Sequence, residues 1–133
     1  MLKVFTTKKL RDTLTQDELD ALVTDFKRYK LTGELPSSFG RDTPYNHPNT
    51  PPSVLAAKLL HIHLQDPKSP WRASTIQFKR VSDIAHLVYC QGFYKPDHYA
   101  LLAILAPDAH LQAKDRNIML ALANDADKFH DEH

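Results

Sequence analysis

Two short runs, Ala85 to Gln91 and Tyr99 to Ala106, are apolar at nearly every position and constrain this chain more than any other feature. A strand that alternates apolar and polar residues needs cover on one face only. A strand without alternation suits the interior of a sheet buried on both sides. Gly92 to Asp97 is a connection of hairpin length between the two runs, and Pro107 closes the second. The centre of the fold is therefore predicted to be a pair of interior antiparallel strands. The chain has 133 residues, of which Leu, Ile, Val and Phe supply 34, enough for one modest core and too many for general disorder.

The flanking segments complete an α+β order. Lys3 to Lys9 alternates loosely and reads as a short first strand. Thr15 with Glu18 three residues on is a capping box, with Leu14 and Leu19 at the staple positions. Leu19, Leu22, Val23, Phe26 and Tyr29 then repeat at helical spacing and Gly33 ends the run, which predicts a helix from Gln16 to about Leu31. Residues 34–53 hold five of the nine prolines and read as a long loop, functional or merely connecting. Leu60, Ile62 and Leu64 alternate with His61 and His63, and Ser74 to Val81 alternates again after a turn at 65–70. From about His110 the pattern is helical, with Leu111, Ile118, Leu122 and Phe129 in one stripe and a polar tail at 130–133. The expectation is one small α+β domain over 1–133. Its mostly antiparallel sheet of about four to five strands is flanked by an N-terminal and a C-terminal helix.

Other features exclude function classes. Cys90 is the single cysteine, so neither an internal disulfide nor a CxxC site is available, which suits a reducing compartment. Charge at Lys3, Lys8 and Lys9 occupies the place where a signal peptide needs an apolar run, and Tyr99 to Ala106 is too short to span a bilayer. These point to an intracellular, cytoplasmic chain with no membrane partner. P-loop, GxGxxG, HExxH and Ser/His/Asp signatures are missing. The formal net charge is +1, but it is an average. Residues 1–33 carry +2, 34–53 carry −1, 54–107 carry +3 and 108–133 carry −3. The sheet region is thus the positive part, and the acidic C-terminal segment is expected to face away from it.

The histidines carry the chemistry. His61 and His63 are two apart on one strand and share a face, opposite Leu60, Ile62 and Leu64. His86 opens a neighbouring strand, and His110 follows the last one. Such a set has three uses. It can ligate zinc or iron, as a metal-dependent enzyme or a metal sensor would with His61, His63 and His86. It can supply an acid and a base near neutral pH. It can also be a set of surface or core groups on a face that only docks to RNA or a ribosome. Metal-free RNA cleavage needs a base for the 2′-hydroxyl, an acid for the 5′-oxygen and a cation for the phosphate. Lys79 or Arg80, on a strand expected beside His61 and His63, fits the last need. Arg41, in Phe39-Gly40-Arg41-Asp42, either meets phosphate or pairs locally with Asp42. Tyr89 reads as core before catalyst, Asp115 as a helix cap, and Trp71 as a turn anchor.

Several segments together resemble the YafO family of bacterial toxins. They are Glu18-Leu19-Asp20-Ala21-Leu22, Phe39-Gly40-Arg41-Asp42, His61-Ile62-His63-Leu64 and Ala85-His86-Leu87-Val88-Tyr89-Cys90-Gln91-Gly92, followed by Pro107, His110, Ala113, Asp115, Asn117 and Met119. The resemblance runs from about residue 3 to 129. It implies a toxin of a type II toxin–antitoxin pair with a RelE/ParE-like fold, acting as a ribosome-dependent, metal-independent mRNA endoribonuclease with no cofactor. Its partners would be mRNA, the 70S ribosome and an inhibitory antitoxin. Carried over residue by residue, it implies catalytic roles for His61, His63, Arg80, His86 and His110. It implies RNA contacts for Arg41, Tyr89 and Asp115, and Lys79 is added as an RNA contact from its place beside Arg80 on the expected strand. RelE-like toxins tend to be clearly basic, and this chain departs from that.

Overall fold

The computed structural model describes residues 1–65 and 85–133. In chain order the elements are β1 (Lys3–Thr6), α1 (Lys8–Thr13), α2 (Gln16–Thr32), β2 (Phe39–Pro44), α3 (Pro52–Ala56), β3 (Leu60–Leu64), β4 (Ala85–Gln91), β5 (His98–Leu105), α4 (Ala109–Gln112) and α5 (Arg116–Glu132). The strands form one mixed sheet in the order β1-β5-β4-β3-β2. β1 runs parallel to β5, and every other pairing is antiparallel. The fold is the expected α+β arrangement, with five strands and helices at both ends. No helix among the described residues is long and apolar enough to cross a membrane.

The two apolar runs become β4 and β5, and a separate core lies on each face of them. Leu87, Tyr89 and Leu101 pack with Leu10 of α1 and with Leu19 and Phe26 of α2. Val88, Cys90, Ala100 and Leu102 pack on the other face with Val54 of α3 and with Leu122, Ala123 and Ala126 of α5. Residues of both parities are therefore buried, and alternation is lost for that reason. Burial also pushes the Cys90 thiol up to about 12, so it is a packing group and not a nucleophile.

Local signals explain α2. Thr15 Oγ1 accepts from the Glu18 N–H at 3.2 Å, and Glu18 accepts from the Thr15 N–H at 2.9 Å, which closes the capping box. Gly33 ends the helix at φ +77°, its N–H donating to the Tyr29 carbonyl.

Four expectations are corrected. β1 stops at Thr6 because the Thr7 hydroxyl caps a helix, accepting from the Leu10 N–H at 3.1 Å. The stretch 34–53 is not a plain loop. It contains β2, whose one neighbour among the described residues is β3, and the start of α3 with a proline in its first turn; an edge strand tolerates prolines that a central one does not. The C-terminal helix is two pieces, because the Asp115 carboxylate accepts from the N–H groups of Asn117 and Ile118 and starts a new helix; Leu111 is left exposed. Finally, 130–133 is no free tail: α5 runs to Glu132, and buried His130 holds the Ala57 carbonyl at 2.9 Å and stacks on Phe93.

Gly92 opens the β4–β5 hairpin where a Cβ would collide with the Lys95 carbonyl. The hairpin cannot yield easily, since Gly92 N–H donates to His98 and His98 N–H to Lys95, at 2.8 and 3.0 Å. Gly92→Ala is expected to cost about 1–3 kcal/mol and to lower the thermal midpoint accordingly. An unchanged midpoint would mean that the hairpin can open there.

Candidate functional site

His61 and His63 project from β3 to the same face, as the period of two requires, while Leu60, Ile62 and Leu64 pack against the α2 side. Strand register supplies the third ring, because His63 lies directly opposite His86 in the β3–β4 ladder. The ring centroids are 4.5 Å apart for His61–His86 and His63–His86, and 5.1 Å for His61–His63. All three side chains are buried. Each can offer one ring nitrogen, and those nitrogens lie within 4.8 Å of one another, so these are the residues that could hold a metal ion.

Tyr45, just past β2, organises the cluster. Its ring stacks on His61 at 3.9 Å and 14°, and its hydroxyl is 2.9 Å from His86 Nδ1. Sequence reasoning missed it, for no local signal marks it beyond an aromatic ring among prolines. Thr43 of β2 lies opposite His61, and Arg41 is near enough to repel its protonated form. Burial, with repulsion from His86, His63 and Arg41, pulls His61 down to about 3. A neutral imidazole at physiological pH is the result. His61 Nδ1 is buried without a hydrogen-bond partner among the described residues.

The other expected site residues are dispersed. Tyr89 is on the opposite face, buried, and donates to both Asp42 oxygens at 2.7 and 2.8 Å. It therefore does not join the histidines. Asp42 does not serve as a local partner for Arg41, because its carboxylate is held by Tyr89, Tyr29 and Lys30. The Asp115 carboxylate is engaged as the α5 cap. His110 is exposed on α4, which packs against β4. Lys79, Arg80, Trp71 and the expected strand Ser74 to Val81 lie outside the described residues; the two neighbours of β3 are β2 and β4. The acidic C-terminal segment does not face away, since α5 packs on the face of the sheet that carries the histidines.

The chain is thus a small open α+β domain that carries three clustered imidazoles on one face of its sheet. The chain is more specifically placed by comparison. The family model described as Toxin YafO, type II toxin–antitoxin system, matches residues 27–131. The mRNA interferase toxin YafO of Escherichia coli (strain K12) is 43% identical over 128 residues, which covers 96% of this chain and 97% of that relative. This chain belongs to the YafO toxin family. No solved structure matches it.

Proposed function

We propose that this protein is a toxin that arrests translation by cutting mRNA on the ribosome, and that the cluster of His61, His63 and His86 is its cleavage site. The observation that carries the reading is the convergence of three imidazoles on paired strands. The relative's activity as an mRNA interferase supports it. A cognate antitoxin is the inhibitory partner, and the cytoplasm, where message and ribosomes are, is the place of action.

In the reaction, one neutral imidazole takes the proton of the 2′-hydroxyl. The freed oxygen attacks the adjacent phosphorus, the bond to the 5′-oxygen breaks, and a second imidazole gives that oxygen its proton. The products are a 2′,3′-cyclic phosphate and a 5′-hydroxyl. Burial keeps His61 neutral, and an acid arises when the substrate arrives, because an anionic phosphate favours the imidazolium. His63 or His86 takes one of these roles. Arg41 beside His61 offsets phosphate charge; Arg80 is assigned the same task from the family resemblance, and Lys79 from its place next to Arg80 in the sequence. His110 on α4 takes its catalytic role from the family resemblance.

The test is cleavage of message by purified toxin with and without ribosomes. His61→Ala, His63→Ala and His86→Ala are each expected to slow cleavage by about 10²–10⁴ while remaining folded by circular dichroism. Full toxicity in all three variants would refute the site. Cleavage of naked RNA at the same rate would refute the ribosome as platform.

A further inference from the structure

We propose that His61, His63 and His86 also form a binding site for a divalent transition-metal ion of the zinc type, and that its occupancy shuts the cleavage site. The second half rests on the proposed cleavage role of these residues, whereas the binding half does not.

The donor set comes first. Three imidazole nitrogens within 4.8 Å of one another form the cluster, which includes no carboxylate among the described residues. Imidazole suits zinc, copper, nickel or cobalt, while magnesium and calcium prefer oxygen. Tetrahedral zinc with bonds of about 2.0–2.1 Å sets its nitrogen ligands roughly 3.3 Å apart. The rings therefore need to close by about 1.5 Å at most, which small side-chain rotations supply while the backbone stays put. The strands that carry them are paired, with His63 opposite His86, so the ligands are largely preorganised.

Two further observations point to a ligand. His61 is 94% buried, and its Nδ1 has no hydrogen-bond partner among the described residues. A buried lone pair or N–H without a partner costs free energy that an ion or a substrate group would recover. His86 already carries the outer contact typical of metal-binding histidines, in that its Nδ1 is held by the Tyr45 hydroxyl. That contact holds the ring in place, and with Nδ1–H donating to the hydroxyl it leaves Nε2 for a metal. A nitrogen bound to a metal has no lone pair left to accept a proton, so the imidazoles of an occupied cluster are lost as the acid and base of the proposed cleavage.

The experiment uses full-length, tag-free protein stripped with chelator. Isothermal titration with zinc chloride is expected to give one ion per chain, and zinc at 100 times its dissociation constant to raise the thermal midpoint on the order of 10 °C. Magnesium at the same concentration is expected to leave the midpoint unmoved. Cobalt(II) should give the visible bands of a tetrahedral site in the wild-type protein, a readout that needs no variant. Those bands and the binding should be lost in His63→Asn and in His61→Asn. In the ribosome assay, saturating zinc should abolish cleavage and excess chelator restore it. Failure to bind zinc, or binding retained in both variants, overturns the site. Stoichiometric binding with cleavage unaffected, or cleavage that requires zinc, overturns the switch. No cleavage with or without chelator overturns the proposed activity and the switch with it, and leaves the metal site to be judged on the binding data alone.

Discussion

Asp42→Ala is expected to destabilise the protein by about 2–4 kcal/mol, read as a fall in the urea midpoint with little change in slope. The carboxylate accepts from Tyr29 at 2.7 Å and from Tyr89 at 2.7 and 2.8 Å, and lies 3.4 Å from the Lys30 ammonium. Lys30 also donates to the Tyr89 hydroxyl at 3.0 Å. Its Nζ is 4.9–5.7 Å from the ring centroids of Phe26, Tyr29, Tyr89 and Tyr99. Removing the one acceptor strands two hydroxyls and an ammonium whose side chain is only 18% exposed. Burial, the largest cause of the raised values of both tyrosines, persists in the variant and opposes their ionising in place of the lost anion.

The design of variants separates charge from packing. Asp42→Asn retains an acceptor and is expected to cost less than alanine. Lys30→Met leaves the ring cage filled by an apolar stem and removes the ammonium, so the double variant Lys30→Met/Asp42→Asn should be more stable than Asp42→Asn alone. Additive losses would mean that the ammonium is not paired with Asp42 in solution. A functional consequence follows from position. The network ties β2 to α2, and the same edge strand leads to Arg41 and Tyr45 at the histidines. Cleavage should therefore fall in Asp42→Ala although Asp42 lies on the far face.

How much of this was legible depends on the range of each signal. The α2 boundaries are written in neighbouring residues, Thr15 with Glu18 at one end and Gly33 at the other, and they were readable. The doubled core was readable from β4 and β5, because loss of alternation is itself a pattern. β2 was not, since its strand conformation comes from pairing with β3 and its composition, from Phe39-Gly40 to Pro44, argues for a loop. Within the site, spacing put His61 and His63 on one face. Only register could bring in His86, and only the path of β2 could lay Tyr45 over them. Tyr89 shows two signals in competition: a family motif suggested an RNA contact, while its place inside an interior strand read as core, and burial on the face of Leu87, opposite His86, agrees with the second.

Acid should weaken this fold in a way that His61 accounts for. The folded protein holds His61 neutral down to about pH 3, through burial first and then through His86, His63 and Arg41, whereas the unfolded chain protonates it near 6.5. A lowered folded value means that the unfolded state binds the extra proton, so stability is complete above about 6.5 and is lost as pH falls toward 3. The slope is up to about 1.4 kcal/mol per pH unit. Carboxylates obscure the lower part of that window, for Glu18 and Asp97 are also held below their ordinary range and lose their contribution as they protonate. Between pH 6.5 and 5 they are still ionised, and the contribution comes from histidines: His61, and His98, which desolvation also holds below its ordinary range; the comparison with a variant isolates His61. His61→Phe keeps a ring for Tyr45 to stack on and removes the titration. With chelator present throughout, wild type should lose up to about 2 kcal/mol more than His61→Phe across that interval. Equal losses in the two proteins would show that His61 takes up its proton in the folded state and that the cluster is open to water.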